Sequence, residues 1–316
     1  MKRFAALLAA VLMVVGALAL RQARDDGDET GEGPAGVLRG IVCADDLADV
    51  CASAGVDVAA TQPAGQTADV LIGADRGDDL GGSAWLVTSA WADLVVAERD
   101  RARVEPLVGV AGEPLASSPV VLAIWQDRRT QLVERCALPA GRAPGWRCLA
   151  EQAGAELDAG DRVRIAGPSV DSALGLVVAA SQAAAVVGRT DYASNDPEAA
   201  DLGRLAPALA GGPGGDSLRR MRAEGPGQVT ATGTVRARAG NLSSTFGTIV
   251  AEASDPAVRA DVVLVVPAGR SVDEDDRRAL TAALVAAGWD AAAGGPAGSP
   301  SGGVLAAIRT LWAQSR

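Results

Sequence analysis

Leu115-Ala116-Ser117-Ser118-Pro119-Val120-Val121-Leu122-Ala123 and Ala260-Asp261-Val262-Val263-Leu264-Val265-Val266 are the two stretches on which the fold turns. Each contains an unbroken apolar run rich in valine, the pattern of a strand covered on both faces. Working outward from them, the chain alternates strands and helices. Residues 37–42, 56–60, 69–73, 84–87, 163–166 and 228–236 read as further strands. Residues 172–187 read as a helix closed by Gly188, and 146–154, 196–209 and 304–312 read as others. Asp45 or Asp46 is placed to cap a short helix ending near Gly55. Ser271 with Glu274 has the spacing of a capping box for a helix reaching Ala287. Alternation this dense predicts a mostly parallel sheet with helices on both faces. The roughly 280 residues it covers exceed one doubly wound sheet, so two lobes are expected.

Composition removes whole classes of chemistry. The chain has no histidine, and its only lysine is Lys2. Ser-His-Asp and Cys-His nucleophile systems lack their imidazole base. Schiff-base chemistry and the phosphate-binding loop lack their lysine. No cysteine spacing resembles a metal knuckle, so no metal or other cofactor is expected. What remains is carboxylates, hydroxyls, arginine and backbone amides. A two-carboxylate hydrolase is the one enzymatic alternative, and the expectation is a protein that is not an enzyme. The formal charge of −10 argues against nucleic acid as a partner.

The N-terminus sets the compartment. Met1-Lys2-Arg3 is basic, residues 4–20 carry no charge, and Ala17-Leu18-Ala19 fits the small-x-small pattern of a cleavage site. Seventeen residues span about 25 Å as a helix, against about 30 Å for a bilayer core. Residues 1–20 are therefore a signal peptide or a membrane anchor, and everything after Arg21 is extracytoplasmic. Residues 21–36 interleave Asp and Glu with Gly and Pro and read as an acidic flexible tether. Cys43, Cys51, Cys136 and Cys148 make an even count in an exported chain, which points to disulfides. Three pairings exist. The local ones, Cys43 with Cys51 and Cys136 with Cys148, keep each pair inside one unit.

Four segments, in order, resemble bacterial extracellular solute-binding proteins of the type II periplasmic-binding fold. They are Ala68-Asp69-Val70-Leu71-Ile72 followed by residues 84–91; the Leu115–Ala123 stretch with its Ser-Pro-Val-Val; Gly145-Trp146 followed by Val163 through Ser172-Ala173-Leu174-Gly175; and the 260–266 run. The resemblance implies two doubly wound α/β lobes joined by two crossing strands. Lobe 1 would be residues 37–117 plus 261–316, and lobe 2 residues 118–260. It implies capture of a small-molecule ligand in the cleft by hinge closure, with delivery to a membrane permease of an ABC-type importer. The alternative is a surface interaction or sensory module that keeps the fold without transport.

Six hydroxyl residues are placed to meet such a ligand. Ser169 and Ser172 open a helix, where free amides and the helix dipole suit an anion; ordinary N-capping explains them as well. Ser117 and Ser118 precede Pro119 at the hinge, and Thr88 and Ser89 follow a strand. One departure stands out. Oxyanion-binding members of this family place a small hydroxyl residue after the first strand, whereas this chain has Cys43-Ala44-Asp45-Asp46. Two carboxylates facing an anion at 4 Å cost on the order of 1–4 kcal/mol. Either they face solvent, the ligand is cationic or neutral, or the cleft has lost its ligand. Trp85, Trp91, Trp125 and Trp146 are expected in the core, since phenylalanine is scarce.

Overall fold

Ile41, Val42, Cys43 and Ala44 are all buried, as a strand flanked on both sides requires. This is β1 (Ile41–Ala44) of a computed structural model that describes residues 38–315, apart from 39, 75–79, 140, 158–159, 194–195, 212–214, 240–242 and 292–297. The expected signal or anchor segment and the tether lie outside the described residues. Parts of two glycine-rich stretches of the sequence, 211–215 and 294–303, also lie outside them. Among the described residues, no helix is long and apolar enough to cross a membrane.

Strand β1 pairs in parallel with β2 (Val58–Gln62) on one side and β3 (Ala84–Thr88) on the other. Helices α1 (Ala48–Ala54), α2 (Ala64–Gly73) and α3 (Ser89–Ala102) follow these strands in turn. The sheet then takes in two later strands. β10 (Arg259–Pro267) runs antiparallel to β3, and β5 (Ala116–Trp125) runs antiparallel to β10. β4 (Val108–Val110) extends the far end of β10. The order is β2-β1-β3-β10-β5, so a strand from late in the chain is inserted into the early sheet.

Ten residues let β5 serve two sheets. Its first residues pair with β10, Ser117 opposite Asp261 and Pro119 opposite Arg259. From Val120 onward it lies between β7 (Ala231–Val235) and β9 (Gly247–Ala253). Pro119 has no amide proton to donate, and it falls at the changeover between sheets. β6 (Ile165–Ala166) runs parallel to β7, and β8 (Ser243–Ser244) forms a hairpin with β9. Helices α4 (Gln126–Arg135), α5 (Trp146–Glu151), α6 (Ala173–Val187), α7 (Pro197–Leu209) and α8 (Ser217–Glu224) belong to this second lobe. After β10 the chain returns to the first lobe through α9 (Glu274–Ala286), β11 (Asp290–Ala291) and α10 (Gly302–Gln314). The molecule is two α/β lobes with β5 and β10 crossing side by side between them.

Helix α6 joins the cores of the lobes. All its residues except Ala185 are buried, because it is apolar all round. It packs on α7 and β7 of its own lobe and on α3 and α10 of the other. Trp85, Trp91, Trp125 and Trp146 are fully buried. Three of their indole N–H groups donate within the core, Trp91 to the Ser172 carbonyl, Trp125 to the Val229 carbonyl and Trp146 to the Ser254 hydroxyl. Cys43 is bonded to Cys51, which ties β1 to α1, and Cys136 to Cys148, which ties the end of α4 to α5.

Three local readings are corrected. Residues 69–73 are the second half of α2, not a strand: Ala64, Ala68 and Leu71 bury one face at helical spacing behind Pro63. Helix α9 is capped by Asp273, whose carboxylate accepts the Asp275 amide at 2.7 Å, rather than by Ser271. Neither Asp45 nor Asp46 caps α1, whose N-cap is Leu47 without a side-chain bond. Helices α4 and α8 and strand β9 were not expected.

Candidate functional site

The start of α6 carries the strongest polar convergence between the lobes. Ser172 is its N-cap, and the Ser172 hydroxyl accepts the Gly175 amide at 3.0 Å. The amides of Ala173 and Leu174 are left without helical partners, as in any first turn. Both donate to one carboxylate from the first lobe: Ala173 to Asp46 Oδ1 at 3.1 Å and Leu174 to Asp46 Oδ2 at 2.9 Å. Asp46 sits in the 3-10 turn Asp45–Leu47, directly after β1. Burial pushes its carboxyl above the ordinary range, and the Leu174 amide pulls it back. The charge of Asp45 adds to the rise, while Arg238 opposes it.

Further contacts fix the same turn to the first lobe. The Thr88 hydroxyl donates to the Ala173 carbonyl at 2.8 Å, and Trp91 Nε1 to the Ser172 carbonyl at 3.0 Å. The Gly65 amide donates to the Asp171 carbonyl at 2.8 Å. Arg309 of α10 bridges Asp69 and Asp171 and stacks 5.1 Å from the Trp91 ring centroid.

The six hydroxyl residues therefore have different surroundings. Thr88, Ser117 and Ser118 are buried. Thr88 bonds as just described, Ser117 accepts from the Arg259 guanidinium, and Ser118 accepts the Ala237 amide at 3.0 Å. Ser89 is half-buried at the first position of α3. Ser169 and Ser172 line a cavity of about 300 Å³ together with Asp45, Thr234 and Arg238.

A larger groove, about 970 Å³, shares Asp46, Asp216 and Arg238 with that cavity and lies between the lobes. Asp46, Asp49 and Trp289 line it from the first lobe; Arg219 and Arg222 of α8 and Arg238 line it from the second. Asp216 caps α8 through the Arg219 amide at 3.0 Å and pairs with Arg238 at 3.2 Å. Among the described residues, Arg219 and Arg222 have no carboxylate within ion-pair distance. The first-lobe wall is thus acidic, and the second-lobe wall, with Asp216 paired to Arg238, is basic on balance. The arginines escaped sequence reading because α8 was not recognised as a helix; Asp216 as N-cap ahead of Leu218 and Met221 is the signal that marks it.

No protein-family model matches the chain, and no curated protein does. Solved structures do. An iron-bound HitA from Pseudomonas aeruginosa superposes with a TM-score of 0.51 at 11% identity, over 87% of this chain and 98% of that one. This chain has the type II periplasmic-binding-protein fold. A periplasmic thiamin binding protein (TM-score 0.49, 12% identity, 87% of this chain and 93% of that one) and an ABC transporter from Clostridium perfringens (0.48, 10%, 87% and 98%) also match. In a periplasmic-binding fold the groove between lobes is where the two halves can enclose a ligand. Here that groove is bounded on one side by the Asp46–α6 contact.

Proposed function

We propose that the chain is an extracytoplasmic solute-binding protein that captures a small polar ligand between its lobes for an ABC-type importer. The observation that carries this reading is the groove of about 970 Å³, with Asp49 on one wall and Arg219 and Arg222 on the other. A ligand bearing both signs of charge fits such walls. Ser169 and Ser172 complete the ligand surface in the adjoining cavity. In this reading residues 37–117 with 261–316 and residues 118–260 are the closing lobes. Residues 1–20 export the chain or hold it at the membrane, and the protein has no catalytic role of its own.

A thermal-shift screen against amino acids, sugars, oxyanions and polyamines tests it. A ligand at 100 times its Kd stabilises the folded state by about 2.7 kcal/mol. A hit that weakens on Arg219→Ala with Arg222→Ala is the expected result. No shift from any class would overturn solute capture.

One observation favours the second reading, a surface interaction or sensory module on the same fold. Asp46, Thr88, Ser117 and Ser118 direct their polar groups into the chain itself. An empty screen together with a binding partner retained by the ectodomain would select that reading.

A further inference from the structure

We propose that Arg309 is a pin between the lobes, fastening the Asp171 turn of the second lobe to the first and setting how readily the groove opens. The pin governs the motion that the proposed function calls for, and so rests on that reading. The argument begins with what one guanidinium holds. Arg309 Nη1 and Nη2 donate to the two carboxylate oxygens of Asp69 on α2, at 2.6 and 2.9 Å. Arg309 Nε donates to Asp171 Oδ1 at 3.1 Å, in the turn that leads into α6. The guanidinium carbon lies 5.1 Å from the ring centroid of Trp91 on α3. A planar fork of fixed donors can serve all three partners at once, which an ammonium cannot. Asp69 and Trp91 share the first lobe with Arg309 and hold it in place. Asp171 belongs to the second lobe, so three elements of one lobe converge on a single carboxylate of the other.

A glycine makes room for this contact. Gly65 stands in the first turn of α2, where glycine is a poor helix former. A Cβ there would lie 2.6 Å from Asp171 Oδ1, 2.8 Å from Asp171 Cβ and 3.0 Å from Arg309 Nη2. The Gly65 amide also donates to the Asp171 carbonyl at 2.8 Å. The turn thus meets the first lobe through backbone and side chain together. One turn further along α10, on the same helix face, Trp312 Nε1 donates to Gln182 Oε1 of α6 at 3.2 Å, in the core. These two fastenings differ in what breaks them. Trp312 and Gln182 are buried, whereas the Asp171 side chain is 47% exposed. The ionic contact at the rim can therefore part without unpacking the core. While it holds, the second lobe has one fixed end, which a hinge needs. Once it parts, the Asp171 turn can lift off α2 and the groove loosens.

The test measures the distance between spin labels on Asp49→Cys and Arg222→Cys, on opposite walls of the groove, in the ligand-free chain. Three variants break the pin in different ways. Arg309→Met removes it, Asp171→Asn removes its catch, and Gly65→Ala keeps both charges but pushes Asp171 away. Each should move the distance distribution toward longer values. The ratio of open to closed chains should rise on the order of threefold to tenfold, the change that a half-exposed charged hydrogen bond supports. Asp69→Asn is the control, because it weakens a pair inside the first lobe. It should lower Tm and leave the distribution as in the parent. An unchanged distribution in the folded pin variants would overturn the proposal. So would widening by Asp69→Asn equal to that by Asp171→Asn, which would make Arg309 a structural ion pair and no more. Should Arg309→Met fail to fold, the other two variants decide. The measurement needs no ligand, so an empty solute screen and an unmoved distance are separate outcomes.

Discussion

Arg99 shows how much one residue organises. It is 2% exposed, yet no carboxylate lies within ion-pair distance among the described residues. Its guanidinium donates to the Leu71 and Ala74 carbonyls at 2.7 and 2.9 Å and twice to the Glu105 carbonyl. It therefore closes the C-terminal end of α2 and the turn after α3 at once, with the helix dipole favouring a cation there. Arg99→Met is expected to cost about 2–4 kcal/mol by leaving those carbonyls buried and unpaired. Arg99→Lys should recover only part of that, since an ammonium cannot span both sites. Urea denaturation of the two variants checks both figures. Asp261, opposite Ser117 at the crossing, makes the opposite contribution. Burial raises its carboxyl above the ordinary 3.8 and Arg259 pulls it down; Asp93 is raised by its own burial and, second, by the charge of Asp261. A raised folded value means the folded protein holds the proton more tightly than the unfolded chain. That stabilisation is complete below 3.8 and disappears as pH rises through the folded value. Asp261→Asn should thus match the unmodified protein near the low end and gain in Tm over it as pH rises to neutrality. A difference that is flat with pH would refute the assignment.

Helix α6 carries a glycine at each end, for unrelated reasons. Gly188 closes it with φ of 86°, and a Cβ there would meet nothing within 4 Å. Gly175 lies in its first turn, where a Cβ would stand 1.6 Å from the Ser169 carbonyl oxygen. The turn from Ser169 folds directly onto the helix, and only a hydrogen fits between. Gly188→Ala is expected to cost about 1 kcal/mol, from the left-handed backbone alone. Gly175→Ala should cost about 3 kcal/mol or more, because backbone must move. It should also shift the Ala173 and Leu174 amides, which a heteronuclear correlation spectrum reads directly. Both ends of α6 were legible in the sequence through Ser172 and Gly188, since capping is a local matter. Other elements were not. Helix α4 buries only Arg128 and Leu132, so its apolar period is nearly silent. Strand β9 is half exposed and starts on Gly247, which reads as loop. In α2 the aliphatic run Val70-Leu71-Ile72 imitates a strand, and only its packing shows the helical period.

On the scale of the molecule, the crossing was legible and the contact of Asp46 with α6 was not. Strands β5 and β10 are covered on both faces, so their runs of valine announce them without any knowledge of partners. The Asp46 contact joins residues more than 120 positions apart, and no local pattern records such a meeting. The same long-range packing decides how the chain unfolds. One continuous apolar cluster includes Trp85, Trp91 and Leu280 of the first lobe, Leu174 and Val178 of α6, and Leu202 and Leu205 of α7. The second lobe keeps a smaller cluster of its own around Trp125, Met221 and Ile249, but the main core runs through both lobes. Calorimetry of the chain should therefore give a single endotherm, with calorimetric and van't Hoff enthalpies equal. Two resolved transitions would mean that α6 belongs to one lobe only. Because α6 packs on α3 and α10, the opening that the proposed function calls for is expected at the groove's other rim, lined by α1 and α8. A spin-label pair on Asp49→Cys and Arg222→Cys should accordingly lengthen on opening, while a pair across α6 and α10 keeps its distance.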